Sequence, residues 1–171
     1  MANVIDLMRT EAAALLQAEF SGGARAVRLR SPTGTGLGDA VLLHAAEEAR
    51  RGRCLVLCPR LLHEQVERAL ARLASDVGVG RWDSGAALVL ADPLQVDRRA
   101  AGAAPERFDA VVVEEFQSQQ HARVRGVLAR FPDARVLEVS RMPRPFPGAI
   151  EADAEIDLSD EPALALAVPG R

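Results

Sequence analysis

The chain has 171 residues, enough for one domain with a full core. Hydrophobic residues make up 49% and charged residues 26%, the balance of a globular protein, and no apolar run approaches the roughly 18 residues of a membrane span. A net charge of -3 argues against a globally basic nucleic-acid binder, though not against a local basic patch.

The N-terminal stretch MANVIDLMRTEAA carries two acidic residues and no apolar signal core, so a cytoplasmic protein is expected. VIDLMRTEAAALLQAEF places apolar residues at helical spacing. AVRLR reads as a short strand running into the glycine-rich turn SPTGTGLGD. DAVLLHAAEEARR is a second helix, closed by Gly52. CLVLCP is a near-continuous apolar run, as expected of a strand covered on both faces. Cys54 and Cys58 share one face of it at roughly 13 Å, from about 3.3 Å per residue, too far apart for a disulfide. They read as core thiols.

LLHEQVERALARLA is a strongly amphipathic helix. SDVGVGRWDSG reads as a turn, AALVLA as another buried strand followed by DPLQVDRRA, and AGAAPER as a loop. FDAVVVEEF is a strand ending in carboxylates, QQHARVRGVLARF a helix and ARVLEVS a strand. The proline-rich RMPRPFPG ends the regular pattern, leaving 149–171 as an acidic tail or edge strand with a weak strand signal between Ile150 and Leu158. Five strands separated mostly by helices imply a parallel sheet with helices on both faces. Ligands of such sheets sit at the carboxyl ends of the strands, where both the glycine turn and the Glu114/Glu115 pair fall.

Several motifs then agree in order. SPTGTGLGD resembles the phosphate-binding motif A-P-T-G-x-G-K-T, and LVLCPRLLHEQ resembles a strand ending in Pro before a helix carrying Gln. ALVLADPLQV is similar to a strand ending in Thr-Pro, FDAVVVEEFQ to a D-E-A-H box behind its apolar strand, and RVLEVSRMPRP to a strand ending in S-A-T-P. Together they resemble the first RecA-like domain of superfamily 2 helicases, the group with DEAD/DEAH helicases and type III restriction subunits, over about residues 5–146. The resemblance implies an α/β P-loop NTPase (RecA-like) fold, with a mostly parallel sheet, over residues 1–148.

It also implies where chemistry should sit and where it is missing. The phosphate loop maps to Thr33, Gly34, Thr35, Gly36, Leu37, Gly38 and Asp39. Backbone amides of such a loop cradle phosphates, a Lys reaches the outer phosphates, and a Ser/Thr hydroxyl holds magnesium. Here Leu37 stands at the Lys position and Gly38 at the hydroxyl position. All 21 basic residues are arginine, so no lysine from elsewhere in the chain replaces the missing one. Asp39 follows in the first turn of the next helix, as a capping residue or as an internal anion where a phosphate would lie. Glu114 stands in for the metal-binding aspartate and Glu115 matches the catalytic glutamate; the pair also reads simply as solvated carboxylates. At the S-A-T motif the chain has Ser140, Arg141 and Met142.

Removing one well-placed electrostatic contributor typically costs about 100- to 1,000-fold in rate, and several are absent together. After Pro143 about 28 residues remain, too few for the second RecA-like domain that supplies an arginine finger. The expectation is a catalytically degenerate helicase-like domain serving as a protein- or nucleic-acid-binding scaffold, with no cofactor. Its partner would be a helicase, a second RecA-like subunit or another copy of the chain, with nucleic acid as the alternative and no membrane. Two alternatives stand beside it. One is an ATP/magnesium half-site completed by a partner. The other is a DNA-binding accessory domain using Arg60 and Arg141, joined by Arg28, Arg30 and Arg144 in a basic surface. Trp82 reads as a sheet-edge packing residue or a base-stacking one, and His44, His63 and His121 as scattered helix residues rather than metal ligands.

Overall fold

A computed structural model describes residues 4–31, 37–82, 84–99, 107–114, 118–140 and 148–158. Seven strands form one sheet in the order β3-β4-β2-β5-β6-β1-β7, and every pairing is parallel. The strands are β1 Ala26–Arg30, β2 Cys54–Leu57, β3 Val79–Arg81, β4 Leu88–Ala91, β5 Ala110–Val113, β6 Arg135–Ser140 and β7 Ala154–Asp157. The helices are α1 Val4–Ser21, α2 Leu37–Arg51, α3 His63–Leu73, α4 Pro93–Arg99 and α5 His121–Leu128. Short 3-10 turns at Arg60–Leu62 and Ser118–Gln120 lead into α3 and α5.

Two more strands are present than the five the pattern predicts. β3 lies inside the segment read as a turn, SDVGVGRWDSG; it has only three residues, none of them buried, so it carries little apolar signal. β7 falls within Ile150–Leu158 and joins the sheet at the edge of β1. The central strands β2, β4 and β5 are buried along their whole length, which explains their unbroken apolar sequences.

Alternate residues of each strand face two cores. One gathers Val27, Leu29, Val56, Val112, Leu137 and Ile156 under α1, α2 and α3. The other gathers Leu55, Leu57, Val89, Val111 and Val113 under Val96 of α4 and Val124 and Val127 of α5. Cys54 and Cys58 are free, buried and on the first of these faces. Burial pushes the Cys54 thiol far above its ordinary range. At the end of α1 the chain reverses through Gly23, whose φ of 102° only glycine adopts without strain. The amide of Ala24 then closes back on the Glu19 carbonyl.

Candidate functional site

All strands being parallel, their carboxyl ends meet along one edge of the sheet. β1 ends at Arg30, and the buried Ser31 that follows is fixed by its amide donating to the Ser140 carbonyl at the end of β6, 3.0 Å away. β2 is followed directly by Cys58, β4 by Asp92 and β5 by Glu114. The amides of Cys58 and Glu114 extend the ladder by one bond each, to Ala91 at 3.1 Å and Leu57 at 2.9 Å. One strand, β6, separates β1, with its glycine turn, from β5, with its carboxylates.

Of the phosphate-loop residues, Thr33, Gly34, Thr35 and Gly36 lie outside the described residues. Leu37 opens α2, and Gly38 and Asp39 complete its first turn. A Cβ placed on Gly38 would meet nothing within 4 Å, so the missing hydroxyl residue is not excluded by crowding. Asp39, in that first turn, reaches outside its own helix. Its carboxylate accepts from Arg72 Nη2 of α3 at 3.2 and 3.3 Å, tying the head of α2 to its neighbour. The two residues are 33 positions apart, and nothing in the sequence marks them as partners.

Glu114 is buried at the end of β5, and Glu115 lies outside the described residues. The Cys58 thiol is pushed up to about 12, first by burial and then by the Glu114 charge beside it. Across the crevice floor His63 Nε2 contacts the Cys58 carbonyl at 3.1 Å; burial is the main cause holding this imidazole below its ordinary value. Asp92 is the head of α4: its carboxylate accepts the Leu94 amide at 2.8 Å while Gln95 Oε1 accepts the Asp92 amide at 3.1 Å. This is a reciprocal capping box with Pro93 at the first helical position. The sequence DPLQ carries that signature, so this assignment was available without the structure.

Arg60 is exposed in the turn after β2, and Arg141 lies outside the described residues, as does Arg144. The expected basic surface is not built from Arg28 and Arg30. Both are largely buried on the face of β1 opposite the first core, where Glu138 of β6 and Glu155 of β7 neutralise them. Strand alternation alone placed them on one face; the neighbouring strands decided that the face meets carboxylates. Glu155 is held below its ordinary value by Arg30 and Arg28 against the opposing effect of burial.

Trp82 is buried and packs on Phe108, ring centroids 5.8 Å apart, with Phe108 in turn edge-on to Phe131. It is a packing residue rather than a stacking platform. The histidines do not converge: His44 stacks on Phe20 at 5.1 Å and His63 sits at the crevice floor. Among the described residues no group of three or more potential ligands could hold a metal ion, and no helix is long and apolar enough to cross a membrane.

No family model and no curated protein matches the chain. Solved structures do. A SWI2/SNF2 ATPase core from Sulfolobus solfataricus, in complex with dsDNA, matches with a TM-score of 0.63 at 15% identity, over 80% of this chain and 31% of that one. The same organism's SWI2/SNF2 ATPase core domain gives 0.58 at 14% identity, over 81% and 31%. A hypothetical ATP-dependent RNA helicase from Sulfolobus tokodaii gives 0.52 at 19% identity, over 79% and 50%. The chain thus spans from 31% to 50% of the length of these proteins. With its all-parallel sheet layered by helices on both faces, the chain has an α/β P-loop NTPase-like fold, the RecA-like fold of these ATPase and helicase cores.

Proposed function

We propose that the chain is a catalytically degenerate helicase-like domain, one that keeps the RecA-like scaffold to bind a partner and does not hydrolyse ATP by itself. The observation that carries this reading is the ion pair at the head of α2. There the fold would use backbone amides and a lysine to hold phosphate; this chain has a carboxylate, Asp39, engaged by Arg72. A carboxylate is favoured at a helix N-terminus for the reasons a phosphate is, and it repels a triphosphate arriving at the same amides. Leu37 adds no charge and Gly38 no magnesium-binding hydroxyl. A magnesium triphosphate therefore finds a poor fit.

The partner on this reading is a protein, such as a helicase or second RecA-like subunit, or another copy of the chain. The exposed Leu61 in the turn after β2, 94% accessible, and the nearby Leu62 supply apolar contact area on the strand-end rim. Nucleic acid is the second class of partner. Support for it comes from the exposed Arg60 and from the structurally similar SWI2/SNF2 core having been solved with dsDNA.

Calorimetry tests the reading. ATP and ADP are titrated with magnesium into the wild type and into a Leu37→Lys, Gly38→Thr variant, with Asp39 kept or replaced by Asn. The expected result is no binding by the wild type and binding gained as the loop residues are restored. Micromolar binding by the wild type would sink the proposal and favour an ATP half-site completed by a partner.

A further inference from the structure

Helix α1 packs on α2 and α2 on α3, so α3 is the last helix of that layer, beside the edge strand β3. Val66 and Leu70 turn its inner side into the first core, and His63 is buried with them. Leu61, Glu64, Arg68 and Ala71 are left along the outer side, all exposed. Leu61, in the 3-10 turn that leads into the helix, is 94% accessible, far above Leu15, Leu62 and Leu94, the other exposed large hydrophobic residues among those described.

The charges flanking this stripe are committed elsewhere: Arg72 to Asp39 of α2, and Glu67 to Arg81 of β3. The central two, Glu64 and Arg68, pair with each other at 3.0 Å, one turn apart, with side chains 78% and 81% accessible. So exposed a pair holds weakly and exchanges partners at little cost. The four stripe residues stand three, four and three positions apart, a spacing that reads the same in both directions. Their chemistry, read along the chain, is apolar, acidic, basic and small apolar. A second copy laid antiparallel, about a two-fold axis midway between Glu64 and Arg68, therefore sets each Glu64 opposite an Arg68 and each Leu61 opposite an Ala71.

We infer that the outer face of α3 is a two-fold contact between two copies of this chain. Its self-complementarity selects a second copy over an unrelated protein, because a two-fold axis makes each favourable pairing twice. The contact also takes both Leu61 side chains out of water. Nucleic acid is disfavoured, since the stripe sets a carboxylate beside its arginine. One helix against one helix buries less than the roughly 1,200 Å² of a stable interface, so association is reversible and weak, half complete between about 10 µM and about 1 mM chain. This contact gives one of the partners proposed above, another copy of the chain, a defined surface. It uses no residue of the phosphate loop, so the nucleotide titration and the association test fail or succeed independently.

Sedimentation equilibrium of the full chain, between about 10 µM and about 1 mM, tests it. The wild-type mass should rise with concentration toward twice that of the chain and no further, since a two-fold contact closes on itself. Arg68→Glu and Glu64→Arg each set like charges opposite one another, and each should raise the dissociation constant at least about tenfold. Mixed in equal amounts, the two variants should associate with each other, because the acids of one then face the bases of the other. Leu61→Ala should weaken association by about tenfold. Melting temperatures should be nearly unchanged, as all three positions are exposed. A wild type that stays monomeric throughout overturns the inference and leaves the face to a different protein or to nucleic acid. It also falls if either charge variant dimerises as well as the wild type, or if the mixed variants stay apart.

Discussion

One carboxylate, Asp39, changes what the first turn of α2 offers to a ligand. The orphan amides of a helix N-terminus attract negative charge, and Asp39, in that first turn, is paired with Arg72 of α3. The pair is partly solvated, with the Arg72 side chain 62% accessible, so it contributes little to stability. A second residue-scale effect concerns pH. His44 stacks on Phe20, and burial first, then Arg135 and Arg51, lowers its pKa to about 4. The unfolded chain, with an ordinary histidine near 6.5, therefore binds a proton between about pH 6.5 and pH 4 that the folded chain refuses. Stability should be full above pH 6.5 and fall as pH drops through this window, by up to the order of 3 kcal/mol from this residue. Urea unfolding of the wild type and His44→Phe across pH 4 to 7 measures it. The difference between the two should shrink or reverse toward low pH, and parallel curves would refute the assignment.

At the scale of elements, the helices end where local chemistry tells them to. α1 stops at a glycine pair, α2 closes with the Gly52 amide on the Glu48 carbonyl at 3.0 Å, and α4 starts in its capping box. α4 has only seven residues, so its start matters disproportionately. Asp92→Ala removes the acceptor for the Leu94 amide and should cost about 1 kcal/mol, visible as a lower melting temperature, whereas Asp92→Ser should restore most of it. An equal loss in both variants would mean that the crevice electrostatics, not the cap, explain Asp92. Most element positions were legible from apolar periodicity. β3 was not, because three half-exposed edge residues hold no periodic signal. Its pairing with β4 is a property of the sheet rather than of the segment.

At the scale of the whole molecule, the edge of the sheet is closed by charge instead of a helix. Glu138 is buried and accepts the amides of Ala149 at 2.7 Å and Ile150 at 3.3 Å, together with Arg28 Nε at 3.4 Å. Arg28 also donates to the Ile150 carbonyl, and Asp153 receives the amides of Arg25 and Ala26. The segment 148–158 is thereby fastened across β6 and β1 before it pairs as β7. Gly148 permits this, since a Cβ there would run into the Arg28 and Glu138 side chains. Glu138→Ala leaves a largely buried arginine and two amides without their acceptor, and should destabilise by about 3 kcal/mol or more. Hydrogen exchange should rise selectively over 148–158. A protein that loses stability uniformly, without that local signature, would contradict the clasp.

The sequence by itself determined the layered α/β fold, the two-sided burial of β2, β4 and β5, the helix caps, and the absence of a lysine and a hydroxyl at positions 37 and 38. Those features are local: they depend on the period of apolar residues and on which atoms a side chain carries. Only the tertiary structure decided who meets whom. The Asp39–Arg72 pair, the neutralising of Arg28 and Arg30 by Glu138 and Glu155, and the burial of Trp82 against Phe108 each join residues at least 26 positions apart. Long-range pairing of charges follows from strand order and helix packing, which no short window of sequence contains. It was that pairing which turned an expected basic surface into a buried clasp.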